Sequence, residues 1–232
     1  MEPENRMHVR RTLILLAIVL LAAGCSDERH PTAVQPPPAS APHFLQWAGG
    51  VTPQFTAIGS PSVRSAGGWL LPSLSDGLSL EHNTASFWAV RGEQRSVQIN
   101  YLSATGDASA PFLQLTITDP VYAPDRGDLQ PGDSVLITVT VDPVNIKVSL
   151  EPTGLQFGDP AQLHIWYGGA GGDLSGDGVV DGTDAQIESQ LLGLWYREGA
   201  ETAWTRIPAA QSLADRSFIS ALLHFCDYAV SW

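Results

Sequence analysis

Hydrophobic and polar residues alternate in short runs from about residue 84 to the end of the chain. Val97, Ile99 and Tyr101 share one parity while Gln98 and Asn100 take the other. Leu113, Leu115 and Ile117 alternate with Gln114, Thr116 and Thr118, and Val135, Ile137, Val139 and Val141 alternate with Thr138 and Thr140. A period of two puts successive side chains on opposite faces of a strand, so each run predicts a strand with one core face and one wet face. Further strands are predicted at 146–150, 163–167, 194–196, 204–207 and within 219–232. Turn chemistry separates them at Gln130-Pro-Gly-Asp133, Asp142-Pro143 and Glu198-Gly199. Short strands at regular spacing with almost no amphipathic helix predict an all-β fold, an antiparallel β-sandwich over 84–232. Residues 44–83 mix Gly, Ser and Pro with a few apolar positions and predict an irregular lead-in holding one or two short strands.

Composition agrees with a folded body: 44% of residues are hydrophobic and only 16% charged, while 22 Gly and 17 Pro supply the turns. The formal net charge is −12 and Lys147 is the single lysine. Nucleic-acid binding needs clustered cations to displace counterions from phosphates, so that partner class is excluded.

The first 24 residues read as an export signal. Arg10 and Arg11 precede an apolar run from Thr12 to Ala22, and small residues follow. The run is shorter than the ~18–20 residues a membrane-spanning helix requires. The segment Leu21-Ala22-Ala23-Gly24-Cys25 resembles the lipobox of bacterial lipoproteins. That resemblance implies cleavage before Cys25, lipidation of its sulfur, and a place in the cell envelope facing away from the cytoplasm. Ser26, where inner-membrane retention favours aspartate, implies the outer rather than the inner membrane. Two or more acyl chains anchor stably, because each buried CH₂ contributes ~0.8 kcal/mol. Residues 25–43 then form the lipidated N-terminus and a tether, in which Pro31, Pro36, Pro37, Pro38 and Pro42 favour extended polyproline II. With Cys25 lipidated, Cys226 has no cysteine to pair with, and its apolar surroundings predict a buried, inert thiol.

One acidic segment carries the sharpest chemistry. With Asp173 as position 1, Ser175 falls at 3, Asp177 at 5, Gly178 at 6, Val179 at 7, Asp181 at 9 and Asp184 at 12. This is the spacing of an EF-hand-type calcium loop. A hard divalent cation takes about six to eight oxygens at roughly 2.3–2.6 Å, and glycine at position 6 permits the sharp turn that gathers them. Asp173, Asp177 and Asp184 would ligate by carboxylate, Ser175 by hydroxyl, Val179 by its carbonyl, and Asp181 directly or through water. Val180 is expected to point into the core. The loop is expected to pin an excursion between two strands, and either one or two helical turns ending at Gly193 or a direct return to strand follows it. Its wording, with Asp at position 12, looks like a calcium loop of a dockerin; a single loop gives no support for cohesin docking.

The order of elements also resembles a known sandwich. The segment Val144–Tyr167 with its Pro152-Thr-Gly-Leu-Gln-Phe157 turn, then Leu194-Trp-Tyr196, Trp204–Pro208 and the ending His224–Val230, resembles the domain shared by zonula occludens proteins, netrin receptors and ankyrins. It departs from that family at Cys226 and in the insertion between Tyr167 and Leu191. The resemblance implies a structural or protein-interaction module without catalysis. The sequence holds no Gly-x-Ser-x-Gly elbow, zinc helix, phosphate loop or dinucleotide fingerprint. His30, His43, His82, His164 and His224 are scattered. A glycan-binding surface module is the alternative. Trp166 and Trp195 have the parity opposite to core-facing Ile165 and Leu194, which suggests an exposed aromatic pair on adjacent strands, or else a cover over a sheet face.

Overall fold

The alternating runs form antiparallel strands that stack into two sheets, as the period-two pattern predicts. The computed structural model describes residues 42–50, 53–59, 64–65, 68–69, 78–102 and 109–232. The export signal 1–24, Cys25 and the tether as far as residue 41 lie outside the described residues.

In chain order the strands are β1 (Gln54–Gly59), β2 (Arg64–Ser65), β3 (Gly68–Trp69), β4 (Leu78–Ser79), β5 (Thr84–Val90), β6 (Arg95–Leu102), β7 (Ala110–Ile117), β8 (Pro120–Ala123) and β9 (Gly127–Asp128). They continue with β10 (Ser134–Val141), β11 (Lys147–Glu151), β12 (Gln156–Trp166), β13 (Gly193–Arg197), β14 (Thr205–Arg206), β15 (Ala210–Ser212), β16 (Ser217–His224) and β17 (Asp227–Ser231). The larger sheet runs β15-β16-β12-β7-β6-β1-β4, with β8 and β9 beside β12; the smaller runs β14-β13-β17-β11-β10-β5. Val97, Ile99, Leu113, Leu115, Leu163 and Ile165 from the larger sheet and Phe87, Ile137, Val139 and Val148 from the smaller are at most 1% exposed and fill the space between. Each such side chain contributes about 1.5–3 kcal/mol by leaving water.

The sandwich begins well before residue 84. β1 pairs with β6 along six residues, from Gln54 opposite Leu102 to Gly59 opposite Val97, and buries Phe55 and Ala57. Ahead of it, residues 43–47 form a strap across the smaller sheet. The His43 and Trp232 amides donate to each other's carbonyls at 2.9 and 3.3 Å, and the Leu45 amide donates to the Val230 carbonyl at 3.1 Å. The Ile146 amide donates to the Leu45 carbonyl at 2.7 Å. Leu45 and Trp47 are 2% and 5% exposed, so this lead-in segment belongs to the core.

The two sheets wear different outer faces. Cα register runs unbroken across five strands of the larger sheet, from Ile219 to His164, Gln114, Gln98 and Ile58. A parallel row joins Ala221, Gln162, Thr116 and Ser96. A third aligns Ser217 with Trp166, and Asn100 with Thr56. No Asp, Glu, Lys or Arg occupies any of these positions. The smaller sheet instead presents Lys147, Glu151, Arg197 and Asp227, with Arg197 paired to Asp227 at 2.8 Å.

Candidate functional site

The acidic segment is the crossover between the sheets. β12 ends in the larger sheet at Trp166, and the chain re-enters as β13 in the smaller one at Gly193. It is therefore a sheet-to-sheet connection and not the excursion between neighbouring strands that local spacing suggested. Tyr167, fully buried, starts the crossover, and Gly168–Ala170 makes a tight turn.

The loop closes around Asp173. Its Oδ1 accepts from the Ser175 hydroxyl at 3.2 Å and the Gly176 amide at 2.8 Å, and its Oδ2 accepts from the Gly178 amide at 2.8 Å. Gly176 and Gly178 have φ of +76° and +86°, a backbone region in which a Cβ is strained. Asp177 accepts from the Val179 amide at 2.8 Å and Asp181 from the Thr183 amide at 2.7 Å. Asp181 caps the helix Gly182–Gln186 in reciprocal fashion, its own amide donating to Asp184 at 2.8 Å. A π-helical turn, Ile187–Leu191, follows, and β13 begins at Gly193. One helical stretch and then strand is the path expected. Gly193 does not stop the helix; it is the first strand residue, and a Cβ there would meet the Arg206 guanidinium at 2.3 Å.

Two residues of the loop sit differently from expectation. Val180 is 69% exposed, not in the core; the inward role falls to Leu174, 4% exposed, whose carbonyl accepts from Trp232 Nε1 at 3.3 Å. Asp184 is drawn into the body of the loop at 4% exposure, where it accepts from the amides of Leu174, Ser175 and Asp181 at 2.8–2.9 Å. These amide bonds, foremost that from Asp181, hold its carboxyl below the usual carboxylate range. Among the described residues, no three acidic, histidine or cysteine side chains converge on a point able to hold a metal ion. The donor chemistry nevertheless suits a hard cation: every candidate ligand from Asp173 to Asp184 offers oxygen.

Asp184 therefore organises the loop in its own right. Asp184→Asn, which weakens three accepted bonds, is expected to lower Tm on the order of 5 °C in the absence of divalent cations. A depressed folded-state value adds stability above the unfolded carboxyl range and loses it as pH falls through the folded one. The gap between the parent and the variant, measured by thermal melts, should therefore narrow below about pH 4.

Trp166 and Trp195 do not form a pair. Trp166 lies in β12 of the larger sheet and Trp195 in β13 of the smaller, on opposite outer faces. Parity gives the face within a strand, but not the sheet. Trp195 roofs β17: its Cα partner Ala229 is fully buried, and its Nε1 donates to the Ser231 carbonyl at 3.1 Å. Trp166 is half-buried and stacks on His164 with ring centroids 3.5 Å apart. Burial holds the His164 imidazole below the usual histidine range, Asp215 opposing it, so the ring is neutral at neutral pH.

Cys226 is buried at 2% exposure, and burial pushes its thiol up to about 11, the mark of an unreactive cysteine. The amide row centred on Gln114 and Gln98 was not identified as a site from sequence. The polarity of each strand was readable, but the alignment of β12, β7 and β6 was not.

A cavity of about 510 Å³ opens between the strap and the loop, lined among others by His43, Gln46, Gly172, Asp173 and Val180. Comparison with known proteins yields no family model, no curated protein and no solved structure that matches the chain.

Proposed function

We propose that this chain is a lipid-anchored β-sandwich of the bacterial cell envelope, facing away from the cytoplasm, that binds calcium in the loop 173–184 and serves a structural or interaction role without catalysis. Leu21-Ala22-Ala23-Gly24-Cys25 supports the anchor and the outer membrane as its site. The observation carrying the metal reading is the register of oxygen donors at positions 1, 3, 5, 7, 9 and 12 on a loop whose turns fall at Gly176 and Gly178. Asp173, Ser175, Asp177, Val179, Asp181 and Asp184 would hold the ion. Bound calcium supplies positive charge that offsets the repulsion among four carboxylates within twelve residues. The carboxylates meanwhile lean on backbone amides, and Asp184 exchanges some of those bonds for the ion.

Because the loop joins the two sheets, loading it would brace one against the other. Calorimetric titration with calcium chloride is expected to give a Kd on the order of 10⁻⁴–10⁻³ M. At a hundredfold excess over Kd the ion stabilises the fold by about 2.7 kcal/mol. Asp173→Ala combined with Asp177→Ala should abolish both the heat and the rise in Tm. A melting temperature identical in calcium and in chelator, with no heat of binding, refutes the reading.

A further inference from the structure

We propose that the outer face of the larger sheet binds a neutral polysaccharide. In a chain of formal net charge −12, the three registered rows of this face carry no Asp, Glu, Lys or Arg, while the opposite sheet carries both signs. A surface without cations on an acidic protein repels anionic polymers and offers nothing to phosphate or carboxylate. Its chemistry suits an uncharged ligand instead. Gln98, Gln114 and Gln162 lie on three neighbouring strands, and each primary amide both donates and accepts, matching the paired hydroxyls of a sugar ring.

An aromatic surface stands beside these amides. Trp166 is braced by His164, whose Nε2 has no hydrogen-bond partner among the described residues. The apolar C–H face of a pyranose packs on such a ring. Gln98 Nε2 donates to Asn100 Oδ1 at 2.8 Å, which fixes the orientation of that amide before any ligand arrives. Ile219 at 39% and Leu223 at 66% exposure extend the face along β16.

Size selects a polymer over a single sugar. The row from Ile219 to Ile58 crosses four inter-strand gaps, roughly 19 Å at about 4.8 Å each. That length accommodates several rings in line. The face is distinct from the loop 173–184, so it operates whether or not that loop holds calcium.

Native gel electrophoresis of the full chain, in detergent and with chelator present, tests the idea in gels containing a soluble β-glucan, α-glucan, mannan or galactan, against polygalacturonate as the anionic control. Retardation by at least one neutral polymer and none by polygalacturonate is expected. Gln114→Ala and Trp166→Ala should each weaken it at least tenfold with circular dichroism unchanged, and Trp195→Ala should leave it intact. Migration unaffected by every neutral polymer overturns the assignment. So does retardation by polygalacturonate alone, equal loss in Trp195→Ala, or light scattering that shows the chain dimerising through this face until Trp166→Ala releases it. Because chelator is present throughout, failure of the calcium reading leaves the result unchanged.

Discussion

Trp47→Ala is expected to destabilise the fold by about 3–5 kcal/mol, the cost of emptying a buried aromatic site that cannot collapse. The indole is 5% exposed and meets Phe112, Phe55 and Tyr101 with centroids 4.9, 5.3 and 5.3 Å away. Its Nε1 donates to the Asp142 carbonyl at 3.0 Å and its amide to the Val144 carbonyl at 3.1 Å. The residue thus fastens the strap to both sheets at once. Equilibrium urea unfolding is the measurement, read as a lower midpoint at constant slope. A chain starting at Thr84 should fare worse and show no cooperative transition, because it lacks the strap and leaves the β6 edge without β1. A loss under 1 kcal/mol for Trp47→Ala would show that the strap is an accessory and not part of the core.

Gly169→Ala is expected to cost about 2–3 kcal/mol by overpacking the same site. A Cβ at this position would lie 2.4 Å from Trp47 Cζ3, 2.7 Å from Cε3 and 3.2 Å from Tyr101 Cζ. The indole cannot retreat, since Phe55 and Phe112 hold its other contacts. Residues that touch do not contribute additively. In a Trp47→Ala background the new methyl enters vacated space, so the double variant should be no less stable than Trp47→Ala alone, again by urea unfolding. Equal costs in the two backgrounds would mean that Gly169 matters for its backbone and not for the approach of Trp47.

Where alternation ran for three or more steps, as at Val97–Tyr101, Leu113–Ile117 and Val135–Val141, sequence reading found the strand and its core face. It missed β1 and the strap for a physical reason. Leu45 and Trp47, like Phe55 and Ala57, give one step of alternation each, with glycines and a proline between them, too short a run to separate strand from loop. Long-range relations were not legible at all. Parity put Trp166 and Trp195 outward, but only tertiary pairing assigns them to different sheets. The donor spacing of the acidic segment was plain, yet its role as the inter-sheet crossover, the exposure of Val180 and the turning of Asp184 toward amides depend on what the rest of the chain places beside it.

The strap also dictates when the molecule can finish assembling. His43 bonds to Trp232 and Leu45 to Val230, so partners near the start of the described chain meet residues that leave the ribosome last. Closing so long a loop is entropically costly and slow relative to local hairpins. The apolar side chains of Leu45 and Trp47 must wait uncovered until β17 is made. A chain interrupted before residue 227 has nowhere to put them, so premature termination leaves an adhesive N-terminal segment exposed to other chains.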